Sequence, residues 1–145
     1  MSVVEKTALI RVPASTLYAI VNNVDAYPEF LPWCKRARLL SRTEDELCGE
    51  IEVSKAGVTQ SFSTCNRLFP HRRIEISLKE GPFRKLDGAW EFTELGNSAC
   101  KVKLMLEFDF SNALMRGAFG VIFGQIANSL VEAFCNRANE LAGTK

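Results

Sequence analysis

Chemistry in a short chain needs titratable groups within reach of one another, and this sequence holds few sets that qualify. Its single histidine is His71, set between Pro70 and Arg72-Arg73. A nucleophile activated by histidine needs that ring beside a serine or cysteine, with a third group to orient it. Pro70-His71-Arg72-Arg73 reads instead as a turn. Turns run over the surface, so His71 is expected as a solvated loop residue. Glu107 and Asp109 share one face of an alternating strand and could in principle exchange a proton with a substrate. Their neighbours Leu106, Phe108 and Phe110 take the other face, which makes the two acids a solvated outer surface. The five cysteines are Cys34, Cys48, Cys65, Cys100 and Cys135. Their number is odd, their spacing wide, and no CxxC occurs. They read as reduced thiols that pack as small apolar residues, which points to a reducing cytoplasm. One histidine and scattered cysteines do not assemble a metal site. No catalytic residue and no metal are expected, and the chain reads as a binding protein, not an enzyme.

The elements that would position a binding site follow from periodicity. With 145 residues, the chain is expected to form one domain over 1–145. Residues 2–12 read as a first strand ended by Pro13, and a helix follows through about residue 23 with Leu17, Ile20 and Val21 on its apolar side. Asp25 starts a second short helix carrying Tyr27, Phe30 and Leu31, and Pro32 ends it. Segments 36–42 and 47–54 form a strand pair. Ala56-Gly57 turns into a long strand over 58–69. Ile74, Ile76 and Leu78 share one face of the next strand, and Gly81-Pro82 turns again. Leu86, Gly88, Trp90 and Phe92 then share a face. After a turn at Leu95-Gly96-Asn97, Cys100, Val102, Leu104, Leu106, Phe108 and Phe110 alternate with polar residues. Ser111 or Asn112 caps one long helix over 113–141, on which Phe119, Phe123, Ile126, Leu130 and Phe134 recur at helical spacing.

Clean alternation gives the sheet one wet face and one covered face. The terminal helix alone is long enough to cover it. The expected architecture is α+β: a curved antiparallel sheet of about six to seven strands gripping a long C-terminal helix, with two short helices after the first strand. A loose fit between helix and sheet would leave a ligand cavity. Phenylalanine is frequent, at 10 residues, and hydrophobic residues make up 47% of the chain, which suits an aromatic-lined pocket. The expected lining is Phe62, Thr64, Asn66, Ile76, Leu78, Trp90, Phe92, Leu106, Phe108, Phe119, Phe123 and Ile126. Tyr27, Phe30, Leu31 and Trp33 form its rim. Gly117, Gly120 and Gly124 each cost the helix roughly 1 kcal/mol against alanine, which points to close packing, a kink or a helix that moves.

Charge excludes a general attraction to nucleic acid, since the formal net charge is +1. Basic residues cluster locally at Lys35, Arg36 and Arg38, at Arg72 and Arg73, and at Arg84 and Lys85. Loops of this kind can hold rRNA phosphates without reading sequence, or dock on an anionic membrane. The N-terminus lacks the basic start and apolar run of a signal peptide. The most apolar stretch, 118–131, holds Gly120, Gly124, Gln125 and Asn128 and is too polar to span a bilayer. A cytoplasmic protein, peripheral to the inner membrane where lipid is collected, is the expectation.

Several segments in order carry a resemblance. Val24-Asp25-Ala26-Tyr27-Pro28-Glu29-Phe30-Leu31-Pro32-Trp33-Cys34 is similar to the signature after the first helix of the bacterial ribosome-association toxins and the mitochondrial coenzyme-Q-binding proteins. Val53-Ser54-Lys55-Ala56-Gly57, Gly81-Pro82-Phe83-Arg84-Lys85-Leu86, Phe108-Asp109-Phe110-Ser111-Asn112 and Ala118-Phe119-Gly120 with Phe123 extend it. The whole chain thus resembles the START-like superfamily, which also includes polyketide cyclases. The resemblance implies a helix-grip fold and two functions. One is holding a polyprenyl quinone such as ubiquinone in the cavity, in support of respiration, with no other cofactor. The other is binding the 50S ribosomal subunit, which blocks its union with the small subunit. A cyclase would need an acid/base pair inside the cavity, and the sequence offers none.

Overall fold

The computed structural model describes residues 2–96 and 98–142. Asn97, the last residue of one expected turn, lies outside them. The first strand, β1 (Ser2–Ile10), stops two residues earlier than its pattern suggests. Val12 turns inward instead, 2% exposed, and leads into α1 (Ala14–Asn22). No local side chain caps α1. The Glu94 carboxylate, 80 residues further along the chain, accepts from the Ala14 N–H at 2.8 Å. The second short helix is a 3-10 helix over Val24–Glu29, with Pro28 inside it. The Tyr27 hydroxyl donates to the Val21 carbonyl and ties this helix to α1.

Six more strands follow: β2 (Cys34–Arg42), β3 (Glu46–Lys55), β4 (Val58–Phe69), β5 (Arg73–Glu80), β6 (Phe83–Gly96) and β7 (Ala99–Phe110). They form one antiparallel sheet in the order β1-β7-β6-β5-β4-β3-β2. Consecutive strands are hairpin neighbours, except that β1 closes onto β7, with Val4 opposite Leu106. The β3–β4 turn has φ of 53° at Ala56 and 80° at Gly57. A two-residue turn with both φ positive matches the twist of the strands it joins, and it fixes their register. β6 and β7 cross so closely that a Cβ on Gly88 would lie 2.0 Å from the Met105 carbonyl oxygen.

The terminal segment departs from expectation. The single helix read over 113–141 is two: α2 (Ala113–Ala118) and α3 (Gly120–Leu141), parted at Phe119. Asn112 caps α2, its side-chain oxygen accepting from the Met115 N–H at 2.9 Å. Phe119 has no exposed surface, and its ring lies 5.9 Å from both Phe83 and Phe110. The chain bends to bury that ring. Gly120 permits it, since a Cβ there would meet the Phe110 ring at 3.2 Å. Beyond the bend, α3 lies across the covered face of the sheet with Phe123, Ile126, Ala127, Val131, Phe134 and Ala138 buried.

Two further expectations fail. Cys48 and Cys65 are not free thiols: they are joined in a disulfide. The β3–β4 register sets them directly opposite, with Cα atoms 4.1 Å apart. Cys34, Cys100 and Cys135 are free. Burial pushes the thiols of Cys34 and Cys135 up to about 11, so they stay neutral, as small apolar residues do. Asp109 is not on a solvated face either. It is 3% exposed, because Arg84 from β6 and Arg116 from α2 close over it. Burial pushes its carboxyl up, but the Phe110 backbone N–H and the Arg84 guanidinium outweigh that and hold it below the usual carboxylate range.

Candidate functional site

Side chains on a strand alternate between faces, so each strand contributes every second residue to the space under α3. Ile51 comes from β3, Phe62, Thr64 and Asn66 from β4, Ile76 from β5, Leu86 and Trp90 from β6, and Leu106 from β7. Phe123, Ile126, Leu130 and Phe134 descend from α3, and Val21 and Tyr27 close the side. Between them lies a cavity of about 100 Å³. Its wall is apolar save for Thr64, Asn66 and the Tyr27 hydroxyl, which is already engaged with Val21. The Asn66 amide oxygen is buried and finds no hydrogen-bond partner among the described residues. A buried polar atom left in that state costs free energy until a donor reaches it.

Aromatic rings cluster at both ends of this space. At one, Phe134 meets Tyr27 at 5.3 Å, Phe30 at 5.4 Å and Trp90 at 5.3 Å, each edge to face. At the other, Phe123 meets Phe83 and Phe108 at 4.9 Å and Phe62 at 5.7 Å. Four residues expected to line the cavity stand behind it instead. Phe108 and Phe119 support Phe123, Phe92 stacks on the far side of Trp90, and Leu78 is half-buried further along β5. Of the expected rim, Tyr27 lines the cavity and Phe30 leans on Phe134 under the Arg137 guanidinium, which lies 4.9 Å from its ring. Leu31 and Trp33 are buried in the core. Val21, Ile51, Leu86, Leu130, Phe134 and Phe83 complete the site without having been singled out for it. Leu130 and Phe134 follow the helical spacing of Phe123 and Ile126, and Leu86 shares the face of Trp90, so periodicity could have found these three.

The other candidates separate in space. His71 sits on the exposed β4–β5 turn, φ 66°, its ring 5.4 Å from Tyr18. Glu46, Cys48 and Cys65 are the one group of potential metal ligands among the described residues, and its two sulfurs are bonded to each other. Most of the basic clusters are ion-paired. Arg36 meets Glu52 at 3.5 Å, Arg38 meets Glu50 at 2.9 Å, and Lys85 meets Glu107 at 3.2 Å. Arg73 bridges Glu75 and Glu91, and Arg84 is held by Asp109. Lys35 and Arg72 make no ion pair among the described residues. No described helix is long and apolar enough to cross a membrane.

Residues 10–135 match the family described as polyketide cyclase / dehydrase and lipid transport. The chain belongs to this family. Within the polyketide cyclase and lipid transport family it is similar to the ribosome association toxin RatA of Pseudomonas aeruginosa, 43% identical over 97% of both chains. It also resembles the mitochondrial coenzyme Q-binding protein COQ10 homolog B of Xenopus laevis, 26% identical over 88% of this chain and 54% of that one. Among solved structures, the aromatase/cyclase Zhui from a Streptomyces species superposes with a TM-score of 0.82 at 18% identity, covering 95% of this chain and 93% of that one. That likeness carries the helix-grip fold alone. The family thus spans enzymes and carriers built on one architecture, and this member's own side chains must decide between them.

Proposed function

We propose that this chain is a non-enzymatic binding protein that holds a polyprenyl quinone, or a lipid of that kind, between the sheet and α3. The observation that carries the reading is the apolar cavity with one unpartnered amide oxygen at Asn66. An isoprenoid tail suits aliphatic and aromatic walls. A quinol hydroxyl is a donor for the Asn66 oxygen, and the same amide, turned over, donates to a quinone carbonyl. The cavity's lining offers no carboxylate, imidazole or thiol to move a proton, which supports binding without conversion. At about 100 Å³ the space is below the roughly 300–1,000 Å³ of drug-sized sites, so α3 must shift for a ligand to enter. The bend at Phe119, where α3 parts from α2, is where such a shift would turn. A ligand of this kind would be collected in the cytoplasm at the face of the inner membrane.

A second reading is favoured by a separate observation, the 43% identity to a ribosome association toxin along almost the whole chain. On this reading the outer surface binds the 50S subunit and prevents its union with the small subunit. The two readings use different parts of the molecule. Purified protein is to be extracted and its lipids weighed by mass spectrometry, and the same preparation sedimented with 50S subunits in salt steps. A prenylated quinone in the extract is expected. An extract free of lipid, from protein that also takes up no added ubiquinone, overturns the cavity reading. Co-sedimentation at low salt, lost as salt rises, supports the ribosome reading; its absence removes it.

A further inference from the structure

We propose that the exposed ridge of α1 and the grooves on its two sides form the surface that holds RNA phosphates. The inference rests on the ribosome reading and names its site. A guanidinium already bridged to a carboxylate must give up that partner before it can hold a phosphate. Arg36, Arg38, Arg73 and Arg84 are all so engaged. Arg11, Arg42 and Arg72 are exposed and make no ion pair among the described residues.

These three cations gather at one end of the fold, where β1 and β2 end and β5 begins. On one side of α1, Arg11 borders a groove of about 620 Å³ floored by Val12 and Ile20. On the other, Arg42 and His71 border a groove of about 400 Å³. Ser15 and Ala19 line both grooves, so the two are flanks of a single helix ridge. Arg72 follows His71 in the β4–β5 turn.

The ridge is narrow and its side chains are short, which lets a polynucleotide backbone come close to cations on both flanks. Asn22 lies in the second groove, 5% exposed, and its amide oxygen has no partner among the described residues. That oxygen is closed off from solvent, so a ribose 2′-hydroxyl, the donor that marks RNA, meets it only when the Asn22 side chain turns toward the groove. The nearby acids set limits. The Glu94 carboxylate accepts from the Ala14 N–H and keeps its charge, so it repels phosphate at the start of α1. Glu44 and Asp45 stand in the next turn after Arg42, where they repel a backbone that strays from the ridge. The partner is an RNA strand bound through its phosphates, without base reading.

Two triple variants, each lowering the net charge by three, test this against purified 50S subunits in salt steps. One is Arg11→Gln/Arg42→Gln/Arg72→Gln. The other is Arg36→Gln/Arg38→Gln/Lys85→Gln. All six positions are at least partly exposed, and thermal melts check that both variants fold. Each phosphate contact contributes about 0.7 to the slope of log affinity against log salt for single strands. The first variant is expected to flatten the slope by about 2 and to weaken binding about a hundredfold at 0.1 M salt. The second is expected to stay within about threefold of the parent, since each of its cations must exchange a carboxylate for the phosphate. Equal losses, or a larger loss in the second variant, overturn the assignment while leaving the ribosome reading intact. A parent chain that does not bind 50S removes both. If the first variant keeps 50S binding but loses phosphatidylglycerol vesicles, the ridge is a membrane contact and the proposal is wrong.

Discussion

Asp109 shows how one carboxylate can join elements distant in sequence. It accepts from Arg84 of β6, Arg116 of α2 and the Phe110 backbone, and its carboxyl titrates below the usual range. A depressed value in the folded chain means that the folded state favours the carboxylate more than the unfolded state does. The resulting stabilisation is complete above the ordinary carboxylate value of about 4 and is lost as pH falls through the folded value. Asp109→Asn removes that titration. Urea midpoints between about pH 5 and pH 2 should therefore fall less steeply in the variant than in the parent. Gly88 makes a different demand. A methyl group there would sit 2.0 Å from backbone, which cannot swing away as a side chain can. Gly88→Ala should lower stability by about 3 kcal/mol or more, read from urea unfolding. Neither effect was legible in the sequence. Alternation set Asp109 outward, and so it is, but nothing local announced that two arginines would cover it.

At the scale of elements, most of the fold was legible, because strand alternation and helical spacing report directly on which face is covered. The pattern over 58–69 coincides with β4 at both ends. The features that escaped depend on partners far away in the chain: the Glu94 cap on α1 and the bend that buries Phe119. The disulfide is an intermediate case. Once Ala56-Gly57 is taken as a two-residue turn, Lys55 faces Val58, and counting outward pairs Cys48 with Cys65. The pairing is thus implicit in the turn, although the spacing of the cysteines along the chain does not show it. Closing 17 residues of sequence, the bond should stabilise by about 3 kcal/mol through restriction of the unfolded chain. Cys65→Ser should show that loss in non-reducing buffer and match the parent once the parent is reduced. In α3, Gly124 is a free choice: a Cβ there meets nothing within 4 Å. Gly124→Ala should raise stability by about 1 kcal/mol, the ordinary helix propensity difference, as measured by thermal and urea unfolding.

Over the whole molecule, the question is whether the space under α3 is a site or a packing fault. The inward set was legible as a face, yet which of its members touch the cavity was not. Phe92, Phe108 and Phe119 point inward like Trp90 and Phe123 but stand one layer behind them, a matter of depth that neither the strand nor the helix period can report. Asn66 decides between the alternatives. In a packing fault its unpartnered oxygen is a pure cost, and an aliphatic side chain of similar size removes it. In a ligand site the same substitution removes the amide that fixes a polar head, leaving only the Thr64 hydroxyl beside it. Asn66→Leu should therefore do two things. It should raise the unfolding free energy of the empty protein by about 1 kcal/mol, by removing a buried acceptor without a donor. It should also weaken binding of a short-chain ubiquinol about tenfold, while a polyprenol with no ring binds as before. Fluorescence of Trp90, whose indole forms part of the cavity wall, reads both titrations. A gain in stability with unchanged ubiquinol affinity would mean that the head group lies elsewhere. Loss of both lipids to the same degree would mean that Asn66 shapes the wall and does not select what binds there.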